Sequence, residues 1–188
     1  MTPTVKPSPV RFYASLMIGV GLIALGIMLI LLLKDSTPAL QPDLSTIPVE
    51  VDYAAPELNL QDLSGKAVSL QDYAGRVVLV NLWATWCPPC KEEMPALQSF
   101  YEERQAQGFV LLGINQEETA EVVEPFVASY GLTFPIWLDE NYLAQRLFNT
   151  SNLPSSFVID RNGRVRLAWV GGVSEKFLER YVTKFIKE

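Results

Sequence analysis

The sequence from Val77 to Cys90 reads VVLVNLWATWCPPC and joins a strand pattern to a helical one. Its first half is a continuous apolar run rich in β-branched residues, which is typical of a strand buried on both faces. Cys87 follows at the point where a helix is predicted to begin. A cysteine there is favoured as the thiolate, because free N–H groups and the helix dipole point towards its sulfur.

Cys90 lies three residues after Cys87, one turn into the predicted helix. That spacing lets the two sulfurs come within bonding distance, so the pair can cycle between a dithiol and a disulfide by exchange with a substrate disulfide. We expect Cys87, the more exposed of the two, to attack the substrate and Cys90 to resolve the mixed disulfide. The other interpretation of a lone C-x-x-C is half of a metal site, but the sequence offers no second pair of ligands.

The composition excludes several classes of chemistry. The chain has 188 residues, a formal net charge of −6, two cysteines and no histidine. The lack of histidine excludes Ser-His-Asp and Cys-His catalytic pairs as well as His-ligated metal sites. Two cysteines are also too few for a disulfide scaffold or for the usual structural zinc site. The acidic balance argues against a nucleic-acid-binding protein, which would carry a clustered basic face.

The rest of the globular part alternates between strand and helix patterns. A hairpin is predicted from two short strands, 57–61 and 67–70, around the turn signal Ser64-Gly65-Lys66. The further predicted strands are 76–83, 109–115, 134–138, 156–160 and 164–170, and the predicted helices are 88–107, 120–130, 142–148 and one that begins at Ser174. This order predicts an α/β fold in which a mixed central sheet lies between helices.

An apolar run without charged residues, 12–33, precedes the globular part. As a helix it would be about 33 Å long, enough to cross a hydrocarbon core of about 30 Å, so we expect a transmembrane anchor. A cleavable signal peptide is the alternative, although the run exceeds the usual apolar core of about 7–15 residues. Lys6 and Arg11 come before the run, and the positive-inside rule therefore predicts a cytoplasmic N-terminus over 1–11 and an extracytoplasmic catalytic domain.

Between the predicted anchor and the globular part, residues 34–55 combine three prolines with Ser, Thr, Asp and Gln. Such a segment buries too little apolar surface to offset the entropy lost on ordering. We expect a flexible tether over 34–55 and a globular domain over 56–188.

Residues 55–188 resemble the membrane-anchored TlpA/ResA type of thiol–disulfide oxidoreductase in the thioredoxin-like superfamily, which includes the cytochrome c maturation reductases. The residues that carry the likeness are 75–90, then Glu93-Met94-Pro95, and 153–160. The resemblance implies a thioredoxin fold with an N-terminal hairpin over 57–70 and an insertion over 116–145. It also implies that no cofactor is needed beyond the redox-active disulfide of Cys87 and Cys90.

The resemblance suggests roles for residues around the cysteines. Pro154 matches the family's cis-proline, which faces the disulfide and shapes the groove where substrate backbone pairs near Leu153 and Ser155. The residues that the likeness places at the substrate-docking surface are Trp86, Pro88 and Pro89, whereas Trp83 is expected in the core or the cleft wall.

Glu93 matches an acidic residue that the family links to the thiol pKa values and to substrate handling. Alternatively, Glu93 is an ordinary acid in the first turn of a helix, where the helix dipole favours a negative charge. Asn81 stands where cytoplasmic thioredoxins place a buried Asp, and an amide cannot take a proton. Glu93 is therefore the candidate base for Cys90.

The direction of electron flow follows from the dipeptide between the cysteines. Pro88 and Pro89 have no N–H to offer a thiolate at Cys87, and the chain has no histidine to stabilise the anion, which favours a reductant over an oxidase. We expect an enzyme that reduces disulfides in exported proteins, apocytochrome c being one candidate, and that is re-reduced by another membrane thiol carrier.

Three other functions compete with the reductase. The first is a thiol oxidase or isomerase of the same fold. A thiol peroxidase usually needs a Thr three residues before its reactive Cys, where this chain has Ala84. A non-enzymatic copper chaperone of this kind uses a His together with the cysteines, and the sequence has none.

Overall fold

The computed structural model describes residues 47–188. Before them it also describes positions 17, 19, 21–23 and 25–28, and these nine positions are helical. Within these residues, no helix is both long and apolar enough to cross a membrane. The predicted anchor over 12–33 lies largely outside the described residues, and the predicted cytoplasmic segment over 1–11 lies entirely outside them. Residues 47–188 belong to one compact unit.

A mixed sheet of eight strands forms the centre of this unit, in the order β1-β8-β7-β4-β5-β6-β2-β3. The strands are β1 (Val49–Ala54), β2 (Asn59–Asp62), β3 (Ala67–Ser69), β4 (Val77–Trp83), β5 (Phe109–Gln116), β6 (Ile136–Asp139), β7 (Ser155–Ile159) and β8 (Arg164–Val170). β4, β5 and β6 run parallel, and every other pairing is antiparallel. The predicted hairpin is present as β2 and β3, and the expected mixed sheet is confirmed.

Five α-helices surround the sheet within residues 47–188. They are α1 (Pro88–Arg104), α2 (Ala120–Tyr130), α3 (Leu143–Leu147), α4 (Glu175–Tyr181) and α5 (Thr183–Lys187), with short 3-10 helices at Leu70–Tyr73 and Gln105–Gln107. The last predicted helix is therefore two helices, and Ser174 caps the first of them by accepting a hydrogen bond from the N–H of Phe177 at 3.3 Å.

The sheet separates two apolar clusters because successive side chains of a strand point to opposite faces. Val77 and Leu79 of β4 lie in the cluster that α1, α2, α4 and α5 cover. Val78 and Val80 lie in the other cluster, under α3 and the 3-10 helix that begins at Leu70. β4 is buried along its whole length, as the sequence predicts. It ends at Trp83, so the turn that leads to Cys87 lies at the carboxyl end of this strand.

The predicted tether over 34–55 is wrong at its C-terminal end. Residues 49–54 form β1, which pairs antiparallel with β8 as an edge strand. Arg164 of β8 forms an ion pair with Asp52, and Lys184 lies 3.3 Å from Glu50. The apolar residues of this segment alternate with acids. Its own propensity to form a strand is weak, and pairing with β8 stabilises the strand nevertheless. The folded part therefore begins before residue 56.

Candidate functional site

The structure joins the two cysteines at the start of α1. Cys87 and Cys90 form a disulfide with an S–S distance of 2.07 Å and a Cα–Cα distance of 5.3 Å. Cys87 is the N-cap residue of α1, and its Sγ accepts a hydrogen bond from the backbone N–H of Cys90 at 3.3 Å. Cys87 is 3% exposed and Cys90 is fully buried, so the expected difference in exposure exists but is small.

The prolines between the cysteines occupy the first two positions of α1 and are exposed. Proline is favoured there because its fixed φ suits the helix and its missing N–H would have been unpaired. Cys90 therefore carries the first backbone N–H of the helix, and this N–H points at Cys87 Sγ. Lys91, the nearest cation in the sequence, is exposed to solvent.

The carboxyl group of Glu93, three residues after Cys90 on α1, is buried, with 1% of the residue exposed. Its Oε1 accepts a hydrogen bond from Asn81 Nδ2 at 2.8 Å, and its Oε2 accepts one from the backbone N–H of Val173 at 3.1 Å. Burial raises the pKa of Glu93 to about 8, although the two hydrogen bonds oppose this shift. This environment does not fit an ordinary solvent-facing acid at a helix start.

Asn81 connects Glu93 to the neighbouring strand. Its Nδ2 also lies 3.0 Å from Ser156 Oγ on β7, and the side chain is almost fully buried in β4. An amide at this position holds the carboxyl group in place without titrating. Glu93 is thus the titratable member of this polar group, and its role as the base for Cys90 stays a prediction.

The peptide bond between Leu153 and Pro154 is cis, which confirms the conformation expected for Pro154. In the register of β4 with β7, Leu82 pairs with Ser155, so Pro154 lies at the sheet edge from which the cysteine turn departs. The carbonyl of Pro154 accepts a hydrogen bond from the N–H of Gly171 at 2.8 Å. Leu153 beside it is half-buried.

Two of the predicted substrate-binding side chains lie in opposite environments. Trp86, directly before Cys87, is 59% exposed and can contact a docked protein. Ser155 is fully buried, and its hydroxyl donates to the carbonyl of Asn152 at 2.8 Å. The Ser155 hydroxyl is thus engaged inside the protein, and the expected pairing of substrate backbone near Leu153 and Ser155 stays a prediction.

Three groups near the cysteines are not predicted from the sequence. The backbone N–H of Val173 holds Glu93, but a backbone donor leaves no signal in residue type. Gly172 allows the same loop to approach the active-site dipeptide, since a Cβ there would lie 3.1 Å from the carbonyl oxygen of Pro89. Glu118 binds Thr85 in the turn before Cys87, and an acid just after a strand is the only local signal for it.

The comparisons with known proteins agree with this site. The model of the AhpC/TSA family matches residues 51–168. The thiol–disulfide oxidoreductase ResA of Geobacillus kaustophilus is 38% identical over 71% of this chain and 77% of its own length. The ResA of Bacillus thuringiensis is 34% identical over 72% of this chain and 79% of its own length.

A solved structure shares the fold as well. The thiol:disulfide interchange protein of the thioredoxin family from Chlorobium tepidum superposes with a TM-score of 0.66 at 29% identity, covering 73% of this chain and 99% of that one. The thioredoxin fold and the thiol–disulfide oxidoreductase activity expected from the sequence are therefore confirmed. Enzymes of this class carry the redox group in the cysteine pair itself and act without a cofactor. The chain belongs to the AhpC/TSA family and, within it, to the thioredoxin-fold thiol–disulfide oxidoreductases of the ResA kind.

Proposed function

We propose that this oxidoreductase works as a reductant of disulfides in exported proteins, with apocytochrome c before haem attachment as its substrate. The observation that carries the direction is the environment of Cys87 Sγ. Its hydrogen bond comes from the N–H of Cys90, and the two residues between the cysteines are prolines without an N–H. A thiolate with few donors is stabilised weakly, so the disulfide form is favoured and the dithiol gives up its electrons readily.

The buried carboxyl group of Glu93 supports the same direction. When Glu93 is ionised, its buried negative charge, three residues from Cys90 on the same helix, opposes a second negative charge on sulfur. When it is neutral, it adds no stabilising charge to the thiolate. Lys91 favours the thiolate, but its charge is solvated and screened at the surface.

The exchange proceeds in two balanced steps. The Cys87 thiolate attacks one sulfur of the substrate disulfide, forms a mixed disulfide and releases the other substrate sulfur as a thiolate. Cys90 then loses its proton, attacks Cys87 Sγ and closes the Cys87–Cys90 disulfide, which releases the second substrate thiol. We assign the proton of Cys90 to the Glu93 carboxylate, whose raised pKa makes it a base near neutral pH.

The proposed location outside the cytoplasm rests on the N-terminal sequence. The uncharged run over 12–33 would act as the anchor, with Lys6 and Arg11 on its cytoplasmic side. An oxidising compartment consumes the reduced form, so a second membrane thiol carrier would have to re-reduce Cys87 and Cys90. Apocytochrome c as the substrate comes from the family resemblance.

A trapping experiment tests the substrate. In Cys90→Ser the mixed disulfide at Cys87 cannot be resolved, so the substrate stays covalently bound and can be identified by mass spectrometry after non-reducing purification. Cys87→Ser is the matched control, because it keeps one cysteine but lacks the attacking sulfur. We expect exported proteins with a C-x-x-C-H haem motif to be bound to the first variant only. Cytoplasmic proteins alone, or equal capture by both variants, would contradict the proposal.

A further inference from the structure

The turn Ala84–Cys87 connects β4 to α1 and determines where the attacking sulfur lies. The N–H of Cys87 donates to the carbonyl oxygen of Ala84 at 3.2 Å, which closes the turn. Thr85 is the second residue of this turn, and Trp86 is its exposed third residue. Any contact that fixes Thr85 therefore also affects the orientation of Trp86 and Cys87.

Glu118, at the start of the family insertion, makes such a contact. The backbone N–H of Thr85 donates to Glu118 Oε2 at 2.7 Å, and the hydroxyl of Thr85 forms a short hydrogen bond with Glu118 Oε1. Asn115 Nδ2 donates to the same Oε2 at 2.8 Å. Both carboxylate oxygens of Glu118 are thus engaged by donors, and hydrogen bonds to an ionised acceptor are stronger than neutral ones.

The surroundings shield these hydrogen bonds in part from solvent. Asn115 is fully buried near the end of β5, where the parallel register places it beside Trp83 of β4. Glu118 and Thr85 are both half-buried, so water competes only partly for their hydrogen bonds. An ordinary acid before a helix would face solvent or the N–H groups of its own helix. Glu118 instead bonds to a segment 33 residues earlier in the chain.

We propose that Glu118 is a positioning residue for thiol–disulfide exchange. Its carboxylate holds Thr85, and through Thr85 it keeps Cys87 and Trp86 in the orientation that a protein disulfide needs in order to dock. Such a substrate must fit against Trp86 and the Leu153–Pro154 edge together. A small disulfide needs access to the sulfur alone. The proposal rests on Cys87 as the attacking residue.

The test compares a protein disulfide with a small one, using the full-length chain. Insulin, with dithiothreitol as the electron source, is the protein substrate, and 5,5′-dithiobis(2-nitrobenzoate) is the small one. In Glu118→Ala we expect kcat/KM for insulin to fall about 10- to 100-fold and the rate with the small disulfide to fall less than about 3-fold, since misplacement harms docked substrates most. Glu124→Ala, at an exposed acid of α2, is the matched control and should change neither rate.

Two further variants keep the test decisive. Thr85→Val removes only the hydroxyl, and combining it with Glu118→Ala should cost no more than Glu118→Ala alone. If Glu118→Ala does not fold, Glu118→Gln, which keeps one acceptor oxygen, should still show a selective loss with insulin. A folded Glu118→Ala with unchanged insulin reduction, or an equal loss with both substrates, would overturn the proposal. Alkylation of the wild type identifies the attacking cysteine separately, so a wrong assignment of Cys87 would be recognised as such.

Discussion

Glu93 and Asn81 are joined by a hydrogen bond of 2.8 Å between the carboxyl group on α1 and the amide on β4. The pair connects the helix that carries the cysteines to β4, a strand that is buried along its whole length. Because Asn81 donates to Glu93 and does not titrate, the proton balance of this pair depends on Glu93 alone. Burial then gives the site a carboxyl group that changes its charge near neutral pH.

The first prediction concerns stability against pH in the oxidised protein, in which the cysteines do not titrate. Glu93 stays protonated in the native state up to about pH 8, whereas in the unfolded chain it ionises near its ordinary value of 4.5. Between these values the unfolded chain holds fewer protons, so the free energy of unfolding should fall as pH rises, by at most about 1.4 kcal/mol per pH unit. Denaturant unfolding at pH 5, 6, 7 and 8 measures this slope.

Glu93→Gln should remove most of that pH dependence, because the amide has no proton to lose. Glu92→Gln is the matched control, since Glu92 is the exposed neighbour and should leave the slope unchanged. A slope in Glu93→Gln equal to that of the wild type would show that another group titrates in this range.

The second prediction concerns the resolving step. Reduced protein mixed with oxidised glutathione releases one glutathione when Cys87 attacks and a second when Cys90 closes the disulfide. If Glu93 takes the proton of Cys90, Glu93→Gln should slow the second release about 10-fold or more near pH 8 and leave the first nearly unchanged. Stopped-flow detection of the released thiol separates the two steps. An unchanged second release would leave Glu93 with a structural role only.

The third prediction is that Cys87 reacts faster with alkylating reagents than Cys90. Cys87 is at the N-cap and accepts the N–H of Cys90, whereas Cys90 is fully buried one turn inside the helix. Iodoacetamide labelling of the reduced protein near pH 7, followed by peptide mapping, should show Cys87 labelled first. Cys87→Ser and Cys90→Ser give each cysteine's rate without disulfide formation. Equal rates, or a faster Cys90, would reverse the proposed roles.

The fourth prediction compares two truncations. A fragment over 44–188 keeps β1, and a fragment over 56–188 lacks it. Without β1, β8 becomes an edge strand, and Arg164 loses its ion pair with Asp52. We expect the longer fragment to be soluble and active and the shorter one to melt at least about 5 °C lower, since about 1 kcal/mol shifts the Tm of a domain by several degrees. Equal melting temperatures would show that β1 contributes nothing.

Strong local patterns account for the parts of this structure that could be predicted. The length and the β-branched apolar composition of the run Val77–Trp83 indicate a strand buried on both faces. The C-x-x-C that follows this strand identifies the redox pair. β1 was not predicted, because it is a short strand after Pro48 whose side chains are mostly exposed and so show no buried apolar run. The contacts of Glu118 with Thr85 and of Val173 with Glu93 join residues far apart in sequence, and no local pattern records them.

The last prediction is the redox potential of the Cys87–Cys90 pair. We expect a value nearer the thioredoxin potential of about −270 mV than the strong-oxidase potential of about −120 mV, a gap that corresponds to about 7 kcal/mol. Pro88 and Pro89 withhold two N–H donors, and Glu93 adds no stabilising charge, whereas the helix dipole and Lys91 act in the opposite direction. Equilibration with glutathione buffers measures the potential. In Pro89→His a cation and an N–H are added beside the thiolate, so the potential should rise, while Lys91→Gln should lower it slightly. A wild-type value above about −180 mV, the region of the disulfide isomerases, would make the protein an oxidant or isomerase.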